Sequence, residues 1–103
     1  MRATPTRIVL VIAMLIAPAF ASDKAIGPVT FLCDDSSQIL ATFDNAPDPA
    51  TVLLVRRGQT FTLPQAISGS GARYVGDDIE FWNKGDDAMV EWQGQKLECS
   101  TAR

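Results

Sequence analysis

Residues 68–85 read SGSGARYVGDDIEFWNKG. Two aromatic and β-branched runs, ARYVG at 72–76 and IEFWN at 79–83, flank Asp77 and Asp78. Runs of this length around a two-residue polar turn predict a β-hairpin. Its register sets Gly76 against Ile79, Tyr74 against Phe81 and Ala72 against Asn83. Continued past the hairpin, the same register sets Gly71 opposite Lys84 and Ser70 opposite Gly85. Ser70 and Lys84 are then diagonal neighbours, roughly 7–8 Å apart at the backbone. Side chains alternate along a strand, so Tyr74, Phe81 and Ile79 share one face, expected to be core. Arg73, Trp82 and Glu80 share the other, where Arg73 and Trp82 are expected to form a cation–π pair. A hydroxyl and an ammonium thus meet on an exposed rim, an arrangement suited to insertion into a carboxylate-bearing site.

Outward from this hairpin the chain continues in short strands. VTFLCD at 29–34 and QILATFD at 38–44 both alternate, separated by the turn cluster at 34–37. NAPDP at 45–49 is a loop, because paired prolines cannot join a ladder. TVLLVR at 51–56 reads as a buried strand, Arg57-Gly58 as a turn and QTFTL at 59–63 as its partner. Residues 64–67 read as a further short strand that can carry a bulge. AMVEW at 88–92, a Gln93-Gly94 turn and QKLECS at 95–100 complete the set. About eight short strands without useful helical periodicity predict an antiparallel sandwich or barrel.

The first 21 residues read as a leader. Arg2 and Arg7 precede the apolar run 8–17, and Ala19-Phe20-Ala21 supplies a small-residue cleavage site. The run is too short to span a bilayer. The first cysteine after the leader is Cys33, so the expectation is a soluble periplasmic or secreted protein without a lipid anchor. Residues 22–103 form the expected single domain, small enough that its core is marginal alone. Cys33 and Cys99, near its two ends, are expected to form a disulfide in an oxidising compartment. Chain-entropy arithmetic for so long a loop gives roughly 4 kcal/mol. With no histidine in the chain and the two cysteines far apart, no metal or redox cofactor is expected. Beyond the leader, seven basic residues stand against twelve acidic ones, a net charge of −5. That excess argues against nucleic acid; it fits steered association with a basic partner and equally a role in solubility alone.

Ser70 with Lys84 could also be read as a Ser-Lys hydrolase pair. An exposed glycine loop with no helix N-terminus or oxyanion hole argues against it. SGSG lacks the Lys-Ser/Thr ending of a phosphate loop, and a strand follows it. The pairs Asp34-Asp35, Asp77-Asp78 and Asp86-Asp87 fit no calcium loop and read as turn residues. Trp92 alternates with Ala88 and Val90 and reads as core; Trp82 alternates with Glu80 and Lys84 and reads as a half-exposed platform. A binding module for another anionic ligand or cell-wall component remains a second reading of the rim.

SGSGARY at 68–74 and FWNKGDDA at 81–88, framed by VTFLCD and KLECS, resemble the MliC/PliC family of inhibitors of c-type lysozyme. The likeness covers essentially the whole chain after the leader. It implies an eight-stranded antiparallel β-barrel closed by one disulfide, and a non-enzymatic inhibitor. It also implies that Ser70 and Lys84 enter the lysozyme cleft, with Arg73, Tyr74 and Trp82 as secondary contacts or support. Arg73 stands where many relatives have lysine. The lack of a cysteine just after the leader resembles the soluble PliC branch.

Overall fold

The computed structural model describes residues 24–101. The leader read at 1–21 lies outside the described residues. The chain runs through β1 (Ala25–Cys33), β2 (Gln38–Asp44), β3 (Thr51–Arg56), β4 (Gln59–Ala66), β5 (Ala72–Gly76), β6 (Ile79–Lys84), β7 (Asp87–Trp92) and β8 (Gln95–Thr101). Each strand pairs antiparallel with the next, and β8 returns to β1, so the sheet is a closed barrel. Closure removes the unpaired edges that an open sheet would expose.

The inward positions alternate as the sequence pattern requires. Phe31, Ile39, Ala41, Val52, Leu54, Leu63, Tyr74, Ile79, Phe81, Ala88, Val90, Trp92 and Leu97 are buried. Phe31 meets Phe81 edge-on at 5.4 Å between ring centroids, and Phe61 meets Trp92 at 5.5 Å. Edge-to-face packing of this kind suits the aromatic quadrupole. The β5–β6 hairpin has the expected register, with Gly76 against Ile79, Tyr74 against Phe81 and Ala72 against Asn83. Asp77 and Asp78 both have positive φ, at 52° and 61°, which matches the twist of the flanking strands.

Two strands differ from the sequence expectation. β1 begins at Ala25, four residues earlier than expected, because a register shift between Ile26 and Val29 absorbs Gly27-Pro28. Residues 64–66 are not a separate strand but the end of β4. Pro64 is accommodated because Gln65 N bonds to Ala50 O, which points the Pro64 nitrogen away from β3. On that other side the ladder to β5 contains only Gln65 with Tyr74 and Ala66 with Arg73, so no bond is lost.

Cys33 and Cys99 form a disulfide and are direct partners across β1 and β8. That seam holds only three register pairs, the others being Phe31 with Thr101 and Leu32 with Ser100. The covalent bond therefore closes the barrel where its ladder is short.

At the end of the barrel bearing residues 34–37, Arg56 is buried and donates to Ser37 Oγ at 3.3 Å and Asp35 Oδ2 at 3.0 Å, with its guanidinium 5.0 Å from the Trp92 ring centroid. Asp35 also accepts from Ser37 Oγ at 2.6 Å and from Ser37 N at 2.9 Å. These Ser37 bonds, helped by Arg56 and Arg57, lower the Asp35 pKa from 3.8 to about 2. A depressed carboxylate contributes stability above its unfolded pKa and loses it as pH falls through the folded one. The melting temperature should therefore fall as pH drops from about 4 towards about 2, and Asp35→Asn should flatten that limb. Thermal melts of both proteins across this window check the expectation; parallel acid limbs would refute it.

Candidate functional site

Up-and-down connectivity sorts the loops between the two ends of the barrel. Residues 45–50, 67–71 and 85–86 lie at one end, opposite the Asp35 cluster. Ser70 and Lys84 are both exposed at that end. The loop 67–71 leaves β4 where its ladder to β5 is shortest, so side chains must hold it in place.

Two side chains do so. Arg73 on β5 donates to Ile67 O at 3.1 Å, while its Nε meets Glu80 Oε2 at 2.6 Å. Trp82 on β6 donates its indole N–H to Ser70 O at 2.8 Å. Ser68 Oγ adds a bond to Gly71 O at 3.2 Å. Both loop carbonyls are thus tied to the outer face of the sheet, and the Ser70 hydroxyl has no hydrogen-bond partner among the described residues.

The same indole carries the lysine. Lys84 Nζ stands 4.2 Å from the Trp82 ring centroid, a cation–π contact that holds a flexible side chain upright. Among the described residues Lys84 forms no ion pair. Asn83 Nδ2 donates to Gly85 O at 3.0 Å and Asp87 O at 3.1 Å, bracing the β6–β7 turn behind it. Trp82 therefore couples the two loops, bonding one through its edge and supporting the cation of the other on its face.

Gly71 makes this closeness possible. Its φ is +66°, and a Cβ there would lie 2.5 Å from Asn83 O and 2.8 Å from Lys84 Cγ. Gly71→Ala should cost about 1–3 kcal/mol of stability and displace Lys84 from its ring. Urea unfolding checks the first effect, and the change in native-state tryptophan emission between the two proteins checks the second.

The structure brings Ser70, Arg73, Trp82 and Lys84 together at one rim and leaves Tyr74 out of it. Tyr74 is only 3% exposed, packs against Phe43 and has its phenol pKa raised by burial. It lies beneath the loops as support. The expected pairing of Arg73 with Trp82 holds for the backbone but not for the side chains. Glu80 captures the guanidinium, a stronger attraction than the ring offers, and Lys84 takes the ring. One rim residue escaped the sequence reading: Ile67, taken there as strand, is 94% exposed beside the SGSG loop. An apolar residue immediately before that loop was the available signal. Among the described residues no group of three His, Cys, Asp or Glu side chains could hold a metal ion.

These features define a small disulfide-closed β-barrel that presents its chemistry on rim loops instead of enclosing it. The family model described as membrane-bound lysozyme-inhibitor of c-type lysozyme, MliC, matches residues 31–98, and the chain belongs to that family. Lipoprotein LprI of Mycobacterium tuberculosis is 31% identical over 75 residues, which are 72% of this chain and 38% of LprI. The membrane-bound lysozyme inhibitor of C-type lysozyme of Cupriavidus necator is 30% identical over 62 residues, 60% of this chain and 50% of that protein. Its counterpart in Yersinia enterocolitica is 46% identical over 48 residues, 47% of this chain and 39% of that protein. The chain thus spans half or less of these curated relatives. The crystal structure of Pseudomonas aeruginosa MliC in complex with hen egg white lysozyme shares the fold, with a TM-score of 0.66 at 22% identity over 90% of this chain and 98% of that one.

Proposed function

We propose that this chain is an exported, soluble, non-enzymatic inhibitor of c-type lysozyme that acts from the periplasm by inserting Lys84 and Ser70 into the enzyme's active-site cleft. The observation that carries this reading is the Lys84 ammonium, propped on Trp82 and without an ion pair among the described residues, beside a loop pinned at Ser70 O. Family membership and the inhibitor names of the relatives support the target.

The chemistry follows from the enzyme's needs. A retaining glycosidase works with two carboxyl groups about 5–5.5 Å apart. One must stay protonated near neutral pH to act as general acid, which requires a raised pKa. An ammonium between them favours their charged forms and so removes the acid. The Ser70 hydroxyl hydrogen-bonds to one carboxylate, and the rim excludes the sugar. Arg73 and Trp82 hold the loops at the required spacing, and Tyr74 supports β5 from inside. The net negative charge of the chain steers it to a basic enzyme.

Cleft occupation has a direct test. Binding of the oxidised protein to a c-type lysozyme should be competed by a chitooligosaccharide that fills the cleft. Binding unaffected by the sugar would refute insertion. In the same titration Ser70→Ala should weaken binding by about 1–3 kcal/mol, the cost of leaving a carboxylate oxygen without its donor.

A further inference from the structure

The outer face of β6–β8 forms a grid of three cross-strand rows. Trp82, Met89 and Glu98 make the central row, Lys84, Asp87 and Ser100 the row nearest the rim, and Glu80, Glu91 and Lys96 the row beyond. Met89 is at the centre and is 53% exposed, with Trp82 on one side and Asp87, Glu91 and Glu98 on the others. Grooves of about 360 Å³ and 230 Å³ lie on either side of it, and both include Glu98 and Met89 in their walls. The first of these also contains Lys84, so the surface is continuous with the rim.

The charges on this face are unequally satisfied. Glu80 is held by Arg73, and Glu91 lies 3.8 Å from Lys96. Among the described residues the Asp87 carboxylate accepts only a hydroxyl, from Ser100 Oγ at 3.0 Å. Glu98 has no side-chain partner among the described residues. Two carboxylates that form no ion pair among the described residues therefore flank an exposed thioether. An apolar centre with a charged rim is the anatomy of a protein interface, and methionine adapts to the surface it meets.

The geometry points to a second contact surface for the same basic enzyme. An arginine beside the lysozyme cleft would lay its aliphatic stem over Met89 and bring its guanidinium to Glu98 and Asp87. This inference rests on the inhibitor reading and adds to it a docking face distinct from the inserted loops. A guanidinium suits the place because its planar fork matches carboxylate geometry while its stem covers apolar surface.

The test compares variants by inhibition of a c-type lysozyme and by association and dissociation rates at low and high salt. Glu98→Lys should slow association about tenfold at low ionic strength, with the difference shrinking in high salt. Met89→Ala should speed dissociation severalfold. The double variant Thr60→Lys, Thr62→Lys, on the exposed outer face of β4, makes the same change in net charge and should have a clearly smaller effect. Equal effects of Glu98→Lys and the β4 variant would show that net charge alone matters and overturn the inference. Inhibition unchanged by both Glu98→Lys and Met89→Ala would overturn it while leaving Lys84 insertion intact. A change confined to self-association would assign the face to a second copy of the chain and overturn it too. Absence of inhibition by the unaltered protein would remove both readings.

Discussion

Lys84→Ala is expected to weaken inhibition of a c-type lysozyme by about 2–5 kcal/mol, a loss of roughly thirtyfold or more in affinity. The size follows from what remains after truncation: two carboxyl groups in a partly desolvated cleft, with no cation between them and no sugar to replace it. Folding should barely notice the change. Lys84 is exposed, and its ammonium rests on the Trp82 ring, so an ordinary surface effect within about 0.5 kcal/mol is expected. Lys84→Arg separates charge from shape. It keeps the cation but replaces a compact ammonium with a broad planar fork, and inhibition should fall between the two. Inhibition constants with matched thermal melts check this. A Lys84→Ala protein that inhibits as well as the parent would remove the lysine from the mechanism.

Loss of the disulfide should have the largest effect on stability. The double variant Cys33→Ala, Cys99→Ala is expected to lose about 2–5 kcal/mol. In a domain of this size that corresponds to a fall in melting temperature on the order of 10–30 °C. The position of the bridge explains why. Cys33 and Cys99 are buried, directly opposed, and sit on the three-pair seam that converts an eight-strand sheet into a barrel. Without the bridge β8 can fray from β1 and expose Phe31 and Leu97, which the closed barrel buries. The rim is reached through the same seam, since Thr101 N bonds to Asp86 O at 2.8 Å in the turn after Lys84. Reduction of the unaltered protein should therefore also lower inhibition at physiological temperature. A reduced protein with an unchanged melting curve would show that the seam holds without covalent help.

The hairpin at the centre of the chain was legible because its signals are local. Alternating aromatic and β-branched residues set the faces, and a two-residue polar turn set the register. Neighbouring residues on one register also placed Ser70 near Lys84. The failures arose where local signals conflict with sheet closure. Pro64 reads as a break, yet its nitrogen faces a stretch without a ladder partner. Gly27-Pro28 likewise hides the first four residues of β1 inside a register shift. The Asp35 cluster joins residues 21 and 60 positions apart, to Arg56 and Gln95, which meet only once the barrel is closed. Which cation takes the Trp82 ring depended on Glu80, two positions along β6, winning Arg73 first. Competition among side chains on one face is not written in the alternation pattern.

The most direct test of cleft blockade is a titration of the oxidised protein, residues 22–103, into a c-type lysozyme lysis assay, with Lys84→Ala titrated in parallel. Loss of lysis with the unaltered protein and its recovery with the variant is the expected result. Lysis unaffected by the unaltered protein would contradict lysozyme inhibition, and equal inhibition by both would contradict the role given to Lys84.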